Sequence, residues 1–313
     1  MVILCIAALG GCTSAPAPKR ADVTPATTSP AGTPTWTELH PLASPPARWD
    51  ASMAYDPATR TMLLFGGGSN QYPGYLGDTW SWNGITWTRL SPSASPPARS
   101  YAPIAYDAAT RTVLLFGGEG MISGGEYSGE YGGLSDTWSW NGTTWTKLSP
   151  PASPGASDFD SMAYDPATAT VLLYRGKCCG PLGQTWSWNG TTWTRLSPPA
   201  SPPLSGGWSM AYDPATATVL LFGGVSSQAV DESSERTPVS ATSAIAGLDG
   251  TWSWNGTTWT KLSPATSPAA RFGASMAYYP GTKAMLLYGD ENDWMINDTW
   301  TFSGPSPPPP ATS

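Results

Sequence analysis

Carboxylates dominate the side chains of this sequence that could do chemistry and that share no common frame. They are Asp50, Glu119, Glu126, Glu130, Asp158, Asp160, Asp231, Glu232, Asp290, Glu291 and Asp293. Two of them held in one pocket would suffice for glycosidic-bond hydrolysis, one protonating the leaving oxygen while the other serves as base or nucleophile. Lyase chemistry makes a similar demand. The alternative is a set of solvated loop acids, since position along the chain pairs no two of them. Asp290, Glu291, Asn292 and Asp293 offer hard oxygen ligands for Ca²⁺ but show no recognised ligand spacing, so neither a metal nor any other cofactor is expected. His40 is the sole histidine, which argues against a Ser-His-Asp triad and a His-rich zinc site.

Binding needs less: flat apolar faces and a few directed polar groups. Of the 17 tryptophans, Trp49, Trp208 and Trp294 stand outside the repeats described below. Their rings either stack on a sugar or hold a peptide, or else they plug the centre of a closed ring of repeats. Arg48, Arg99 and Arg271 each end a Pro-x-x-Arg string, and read either as anion ligands or as structural clamps. Together with Asp50, Tyr101, Asp158 and Asp160, these residues form the candidate ligand-binding set.

The elements that must position this set are repeats. Ala-Tyr-Asp-Pro-Ala-Thr or a close variant recurs with its tyrosine at Tyr55, Tyr106, Tyr164, Tyr212 and Tyr278. Thr-Trp-Ser-Trp-Asn-Gly-x-Thr-Trp-Thr-x-Leu recurs with its first tryptophan at Trp80, Trp138, Trp186 and Trp252, and begins again at Trp300. Each unit reads as four short strands. The first ends in an Asp-Pro turn, where proline fixes φ and the aspartate bonds the backbone ahead. A continuous apolar strand follows, Thr61 to Phe65 in the first unit, ending at Gly66-Gly67. The third strand carries two tryptophans at period two before Asn83-Gly84, a strong hairpin signal, and Thr86 to Leu90 is the fourth. Four antiparallel strands in about 50 residues is the size of a propeller blade.

Phe65-Gly66-Gly67, Asp78-Thr79-Trp80 and the Pro-x-x-Arg strings resemble kelch motifs across residues 35–303, with Tyr174-Arg175-Gly176 as a departure in the third copy. The resemblance implies a five-bladed, all-β propeller. The arginines are also similar to the cluster with which sialidase propellers grip a carboxylate, although here they occupy the kelch arginine position. The two-histidine copper site of kelch-containing galactose oxidases has no counterpart. Trp36 precedes Tyr55 by the same 19 positions that separate Trp87 from Tyr106, so Trp36-Thr37-Glu38-Leu39 reads as a fourth strand without its own first three. The last unit stops after Thr299-Trp300-Thr301-Phe302. Closure by pairing the N-terminal strand with the last blade would hide both open edges.

The frame also separates a constant face from a variable one. Each third-strand tryptophan precedes the next tyrosine by 26 positions, as Trp80 does Tyr106. All length variation falls between strands two and three, in segments near 66–77, 117–135, 175–184, 223–250 and 289–298. Insertions on one face of a repeat scaffold mark a binding face.

The ends carry other signals. Residues 1–11 are apolar, too short to span a bilayer, and read as a signal peptide. Leu9-Gly10-Gly11-Cys12 resembles a bacterial lipobox, which implies lipidation of Cys12 and residence on the outer side of a bacterial membrane. Residues 12–34 read as a disordered tether and 304–313 as a disordered Pro-rich tail. Cys178 and Cys179 are then left with only each other, as a strained vicinal disulfide or two free thiols. A net charge of -7 with few basic clusters argues against nucleic acid. The expected protein is a monomer that touches the membrane only through its lipid. It binds a glycan or protein through its variable loops and shows no complete catalytic constellation. The alternative is a carbohydrate-active hydrolase or lyase using loop carboxylates.

Overall fold

The computed structural model describes residues 41–313 except 70–73, 124–129, 157–158, 176–182, 204, 227–247, 272, 280–283, 289–298 and 303–313. Residues 1–40 lie outside the described residues. Every described regular element is a β-strand. The first repeat holds β1 (Ser52–Asp56), β2 (Thr61–Phe65), β3 (Thr79–Trp82) and β4 (Trp87–Leu90). The second holds β5 (Arg99–Ser100), β6 (Ile104–Asp107), β7 (Thr112–Phe116), β8 (Glu119–Ser123), β9 (Glu130–Gly133), β10 (Thr137–Trp140) and β11 (Trp145–Leu148). In the third are β12 (Ser161–Asp165), β13 (Thr170–Tyr174), β14 (Thr185–Trp188) and β15 (Trp193–Arg195). The fourth has β16 (Ser205–Asp213), β17 (Thr218–Ser226), β18 (Thr251–Trp254) and β19 (Trp259–Leu262), and the fifth has β20 (Ser275–Tyr279), β21 (Ala284–Tyr288) and β22 (Thr299–Phe302).

Each of the first four repeats forms one antiparallel four-stranded sheet, and the fifth forms a sheet of three described strands. A sixth sheet, β5-β8-β9, joins β5, just before the first strand of the second repeat, to two strands of its variable segment, and its β5–β8 pairing recurs as the Trp49–Gly68 bridge of the first repeat and the Gly206–Val225 pair of the fourth. None of the six sheets closes on itself.

Local chemistry explains the strand ends. The carboxylates of Asp56, Asp107, Asp165 and Asp213 are buried and accept the amide two residues ahead, at 2.9–3.0 Å from Ala58, Ala109, Ala167 and Ala215. That bond fixes the turn between strands one and two. At the other hairpin Asn83 Oδ1 accepts from the amides of Ile85 and Thr86, while Gly84 takes φ 97°, a left-handed conformation that glycine adopts without strain.

Packing between sheets is also periodic. Trp145 of β11 lies edge-on to Phe65 of β2 at 5.3 Å and donates its indole N–H to Thr79 Oγ1 of β3 at 3.0 Å. Trp193 does the same with Phe116 and Thr137, and Trp259 with Tyr174 and Thr185. Each of these indoles is at least 98% buried, and burying one contributes roughly 4–6 kcal/mol as an upper bound. The first strands pack in succession, β1 on β6, β6 on β12, β12 on β16 and β16 on β20. The first repeat departs from this pattern. Met53 is 55% exposed, whereas its equivalents Ile104, Met162 and Met210 are at most 9% exposed. Between the fourth and fifth sheets lies an apolar cavity of about 60 Å³, walled by Phe222, Thr251, Met276, Leu287, Trp300 and Phe302 among others.

Candidate functional site

Five equivalent positions, just before the first strand in four repeats and within the longer β16 of the fourth, meet around one cavity. Counting back five from the repeat tyrosine gives Asp50, Tyr101, Phe159, Gly207 and Gly273, and every one adopts a left-handed backbone, with φ between 48° and 74°. This conformation lets the chain turn from the ledge before the strand into the strand itself. The amide of Tyr101 donates to the Asp50 carbonyl at 3.2 Å, that of Gly207 to Phe159 at 3.4 Å, and that of Gly273 to Gly207 at 2.9 Å. Serine hydroxyls two residues further on add a second tie between repeats. Ser52 bonds the Ala102 carbonyl at 2.5 Å, Ser161 that of Trp208 and Ser209 that of Ala274.

The resulting cavity, about 160 Å³, takes wall residues from all five repeats, including Asp50, Tyr101, Phe159, Asp160, Trp208 and Ala274. Glycine is the residue suited to such a backbone, so aspartate, tyrosine and phenylalanine hold it at a cost of order 1–2 kcal/mol each. Three repeats keep a side chain where two have given it up, and all three side chains line the cavity. Burial pushes the Asp50 carboxyl above the usual carboxylate range, against a hydrogen bond with the Tyr101 side chain that lowers it.

An aromatic row leads outward from this cavity. Phe159 and Tyr101 lie 4.5 Å apart between ring centres, Tyr101 and Trp49 6.0 Å, Trp49 and Tyr75 6.5 Å, and Tyr75 and Tyr131 5.1 Å. Trp49 is 42% exposed. It forms an isolated antiparallel bridge with Gly68, where an added Cβ would fall 2.1 Å from the indole, so the ring lies directly on glycine backbone. Tyr131 belongs to β9, which brings the variable segment of the second repeat onto the row.

The arginines of the candidate set are spent on structure. Arg48 donates to both oxygens of Asp78 at 2.7 and 2.9 Å and to the carbonyls of Gly66 and Pro46. Arg99, 1% exposed, repeats this with Asp136 at 2.5 and 2.9 Å and with Gly117 and Pro97. Burial would raise the Asp78 and Asp136 carboxyls, but bonding to Arg48 and Arg99, their positive charge and an indole N–H from Trp80 or Trp138 together hold both below the usual range. Arg271 is fully buried, with Nε on the Ala269 carbonyl at 3.1 Å. None of the three lines the cavity.

The third repeat solves the same problem from the other strand. Its sequence has Ser157 at the arginine position, Arg175 where the first glycine belongs, and Gln184 in place of the aspartate. Arg175 reaches back to the carbonyls of Pro154 and Ala156, each at 2.6 Å, and Gln184 accepts the Trp186 indole at 2.9 Å.

Of the candidate set, then, Asp50, Tyr101, Asp160 and Trp208 meet at the cavity and Trp49 adjoins it through Tyr101. Trp208 contributes wall rather than a free face: it is 5% exposed and packs edge-on against Tyr174 at 6.0 Å. Asp158, Trp294, Cys12, Cys178 and Cys179 lie outside the described residues. No family model and no curated protein matches this chain. Phe159, Tyr75, Tyr131 and Gly68 are members of the site that the sequence reading did not single out. Phe159 had a readable signal, because it shares a repeat column with Asp50 and Tyr101, whereas the two tyrosines sit in segments of unequal length.

Proposed function

We propose that this chain is a kelch-like, five-bladed β-propeller that binds a glycan on its variable-loop face, held outside a bacterial membrane through a lipid on Cys12. The observation that carries the binding reading is the row Phe159, Tyr101, Trp49, Tyr75 and Tyr131, which joins residues of three repeats and reaches the cavity at Tyr101 and Phe159. Tyrosine and tryptophan pair an apolar face with a polar edge, as a sugar ring does. A glycan array probed with the mature chain tests it. Trp49→Ala should abolish the signal without lowering the melting temperature, and retention of the signal would overturn the assignment of the row.

Closure rests on the cavity wall, to which the first and fifth repeats both contribute. In the closed ring the fifth blade, completed by Trp36 to Leu39 alongside β22, would cover the exposed Met53 and Tyr55 of the first. The hydrolase or lyase alternative draws on Asp50 and Asp160 in one cavity. Release of reducing ends or of unsaturated products from a bound glycan, lost in Asp50→Asn and Asp160→Asn, would favour it over binding alone.

A further inference from the structure

Building on the glycan-binding reading, we propose that the site recognises the end of an unbranched sugar chain, with the terminal ring inside the cavity and the units behind it laid along the aromatic row. The row reaches the cavity at Tyr101 and Phe159, whose rings lie 4.5 Å apart between centres. From there it runs outward through Trp49 and Tyr75 to Tyr131. At the same column the fourth and fifth repeats carry Gly207 and Gly273, which put no side chain into the space. Asp50, Tyr101 and Phe159 keep theirs on a left-handed backbone that suits glycine better. The cavity is therefore what two repeats vacate and three narrow.

Size decides between an end and an interior stretch. A cavity of about 150 Å³ accommodates one six-membered ring, so about 160 Å³ holds one sugar ring and has no room for a second. All five repeats contribute to its wall, and a ring that enters finds scaffold on every flank. An interior unit needs space for a neighbour on both sides, whereas a terminal unit needs it on one, and the row supplies that one. Stacking acts alike on every unit of the chain and by itself favours no end. The cavity makes the difference. A terminal unit also carries a hydroxyl where an interior unit carries a glycosidic link, and the two oxygens of the Asp50 carboxyl leave acceptor capacity beyond the bond with Tyr101.

Cello-, chito-, manno- and xylo-hexaose, each immobilised once through its reducing end and once through its non-reducing end, are probed with the full chain. Each has more units than the row has rings, so an interior stretch alone could cover the row. A hexaose that binds should do so in one attachment and lose about tenfold or more in the other. The attachment that binds then names which end enters the cavity. Gly273→Asn gives a second readout, because asparagine tolerates the left-handed backbone and at this column puts a side chain into the space. In that variant the favoured attachment should fall to the level of the other. Should Gly273→Asn fail to fold, the two attachments probed with the natural chain still decide. Equal signals from both attachments overturn the end reading and leave glycan binding standing, as does a preference that survives Gly273→Asn undiminished. Silence of all four hexaoses in both attachments overturns the two readings together.

Discussion

Trp145 Nε1 donates to Thr79 Oγ1 at 3.0 Å, tying the fourth strand of the second repeat to the third strand of the first. Both groups are buried, so the bond has no solvent substitute. Trp145→Phe keeps most of the ring contact with Phe65 but leaves the Thr79 hydroxyl without its donor, which costs about 1–2 kcal/mol. Trp145→Ala adds a cavity and should cost about 3–5 kcal/mol. Urea midpoints for the two variants check the ranking, and a Trp145→Phe variant as stable as the natural chain would show that the hydrogen bond contributes nothing.

The Arg99–Asp136 pair sets the acid response. Its carboxyl is depressed in the folded chain, as is that of Asp78. A group of this kind contributes stability above its unfolded value of about 4 and loses it as pH falls through the lower folded value. Asp50 is shifted the opposite way, so it disfavours the folded state above its raised value and is relieved on acidification. The depressed pair therefore predicts a loss of stability below about pH 4, with Asp50 returning part of it. Asp136→Asn should cost about 3–5 kcal/mol at neutral pH, because the buried guanidinium stays behind. It should also lose less than the natural chain between about pH 5 and 2.5 in a melting series.

Much of the scaffold was legible because each of its signals is local. Asp56 and Asn83 act on amides two or three residues away, and the third-strand tryptophans repeat at a fixed interval. Asp50 and Asp160 were legible as site candidates because they lie outside the repeated strings, but that they share a cavity depends on how sheets far apart in sequence pack. The arginine clamp shows the limit most clearly. Arg175 looks like a damaged glycine motif in sequence, yet it supplies from strand two the guanidinium that Arg48 and Arg99 supply from before strand one. The small sheet β5-β8-β9 was unreadable for a different reason, since the variable segments differ in length and sequence and offer no aligned copy, although the pairing itself recurs as the bridges Trp49–Gly68 and Gly68–Tyr75.

Gly250 offers a stabilising substitution. In the first three repeats the indole N–H of Trp80, Trp138 or Trp186 has an acceptor two residues back, in Asp78, Asp136 and Gln184. The fourth repeat has Gly250 there, and the buried Trp252 Nε1 has no acceptor among the described residues. Gly250→Gln restores an acceptor as Gln184 does in the third repeat, which like the fourth has serine, Ser157 and Ser205, at the arginine position. Its Cβ would sit 3.2 Å from Trp252 Nε1, so the indole must shift by a few tenths of an ångström. A gain of about 1 kcal/mol is expected from the restored bond. An unchanged or lower urea midpoint would mean that the indole cannot yield.

Closure makes the last and sharpest claim on the repeat frame. Thr79, Thr137 and Thr185 each accept an indole from the fourth strand of the next repeat, donated by Trp145, Trp193 and Trp259. The same column assigns Thr251 to Trp36 and Thr299 to Trp87. Thr251 lines the apolar cavity between the fourth and fifth sheets, beside Phe222, which holds the column position of Phe65, Phe116 and Tyr174. If Trp36 serves the fifth repeat as Trp145 serves the second, Trp36→Phe should cost the same 1–2 kcal/mol or about that, for the same lost bond. Deleting 35–39 should cost several times more, because it strips the edge of β22 as well. Deleting 13–34 should leave the melting temperature unchanged, since that segment is rich in proline, threonine and alanine and buries little. A silent Trp36→Phe, alongside a damaging Trp145→Phe, would remove Trp36 from the column and leave β22 without a partner from the N-terminal segment.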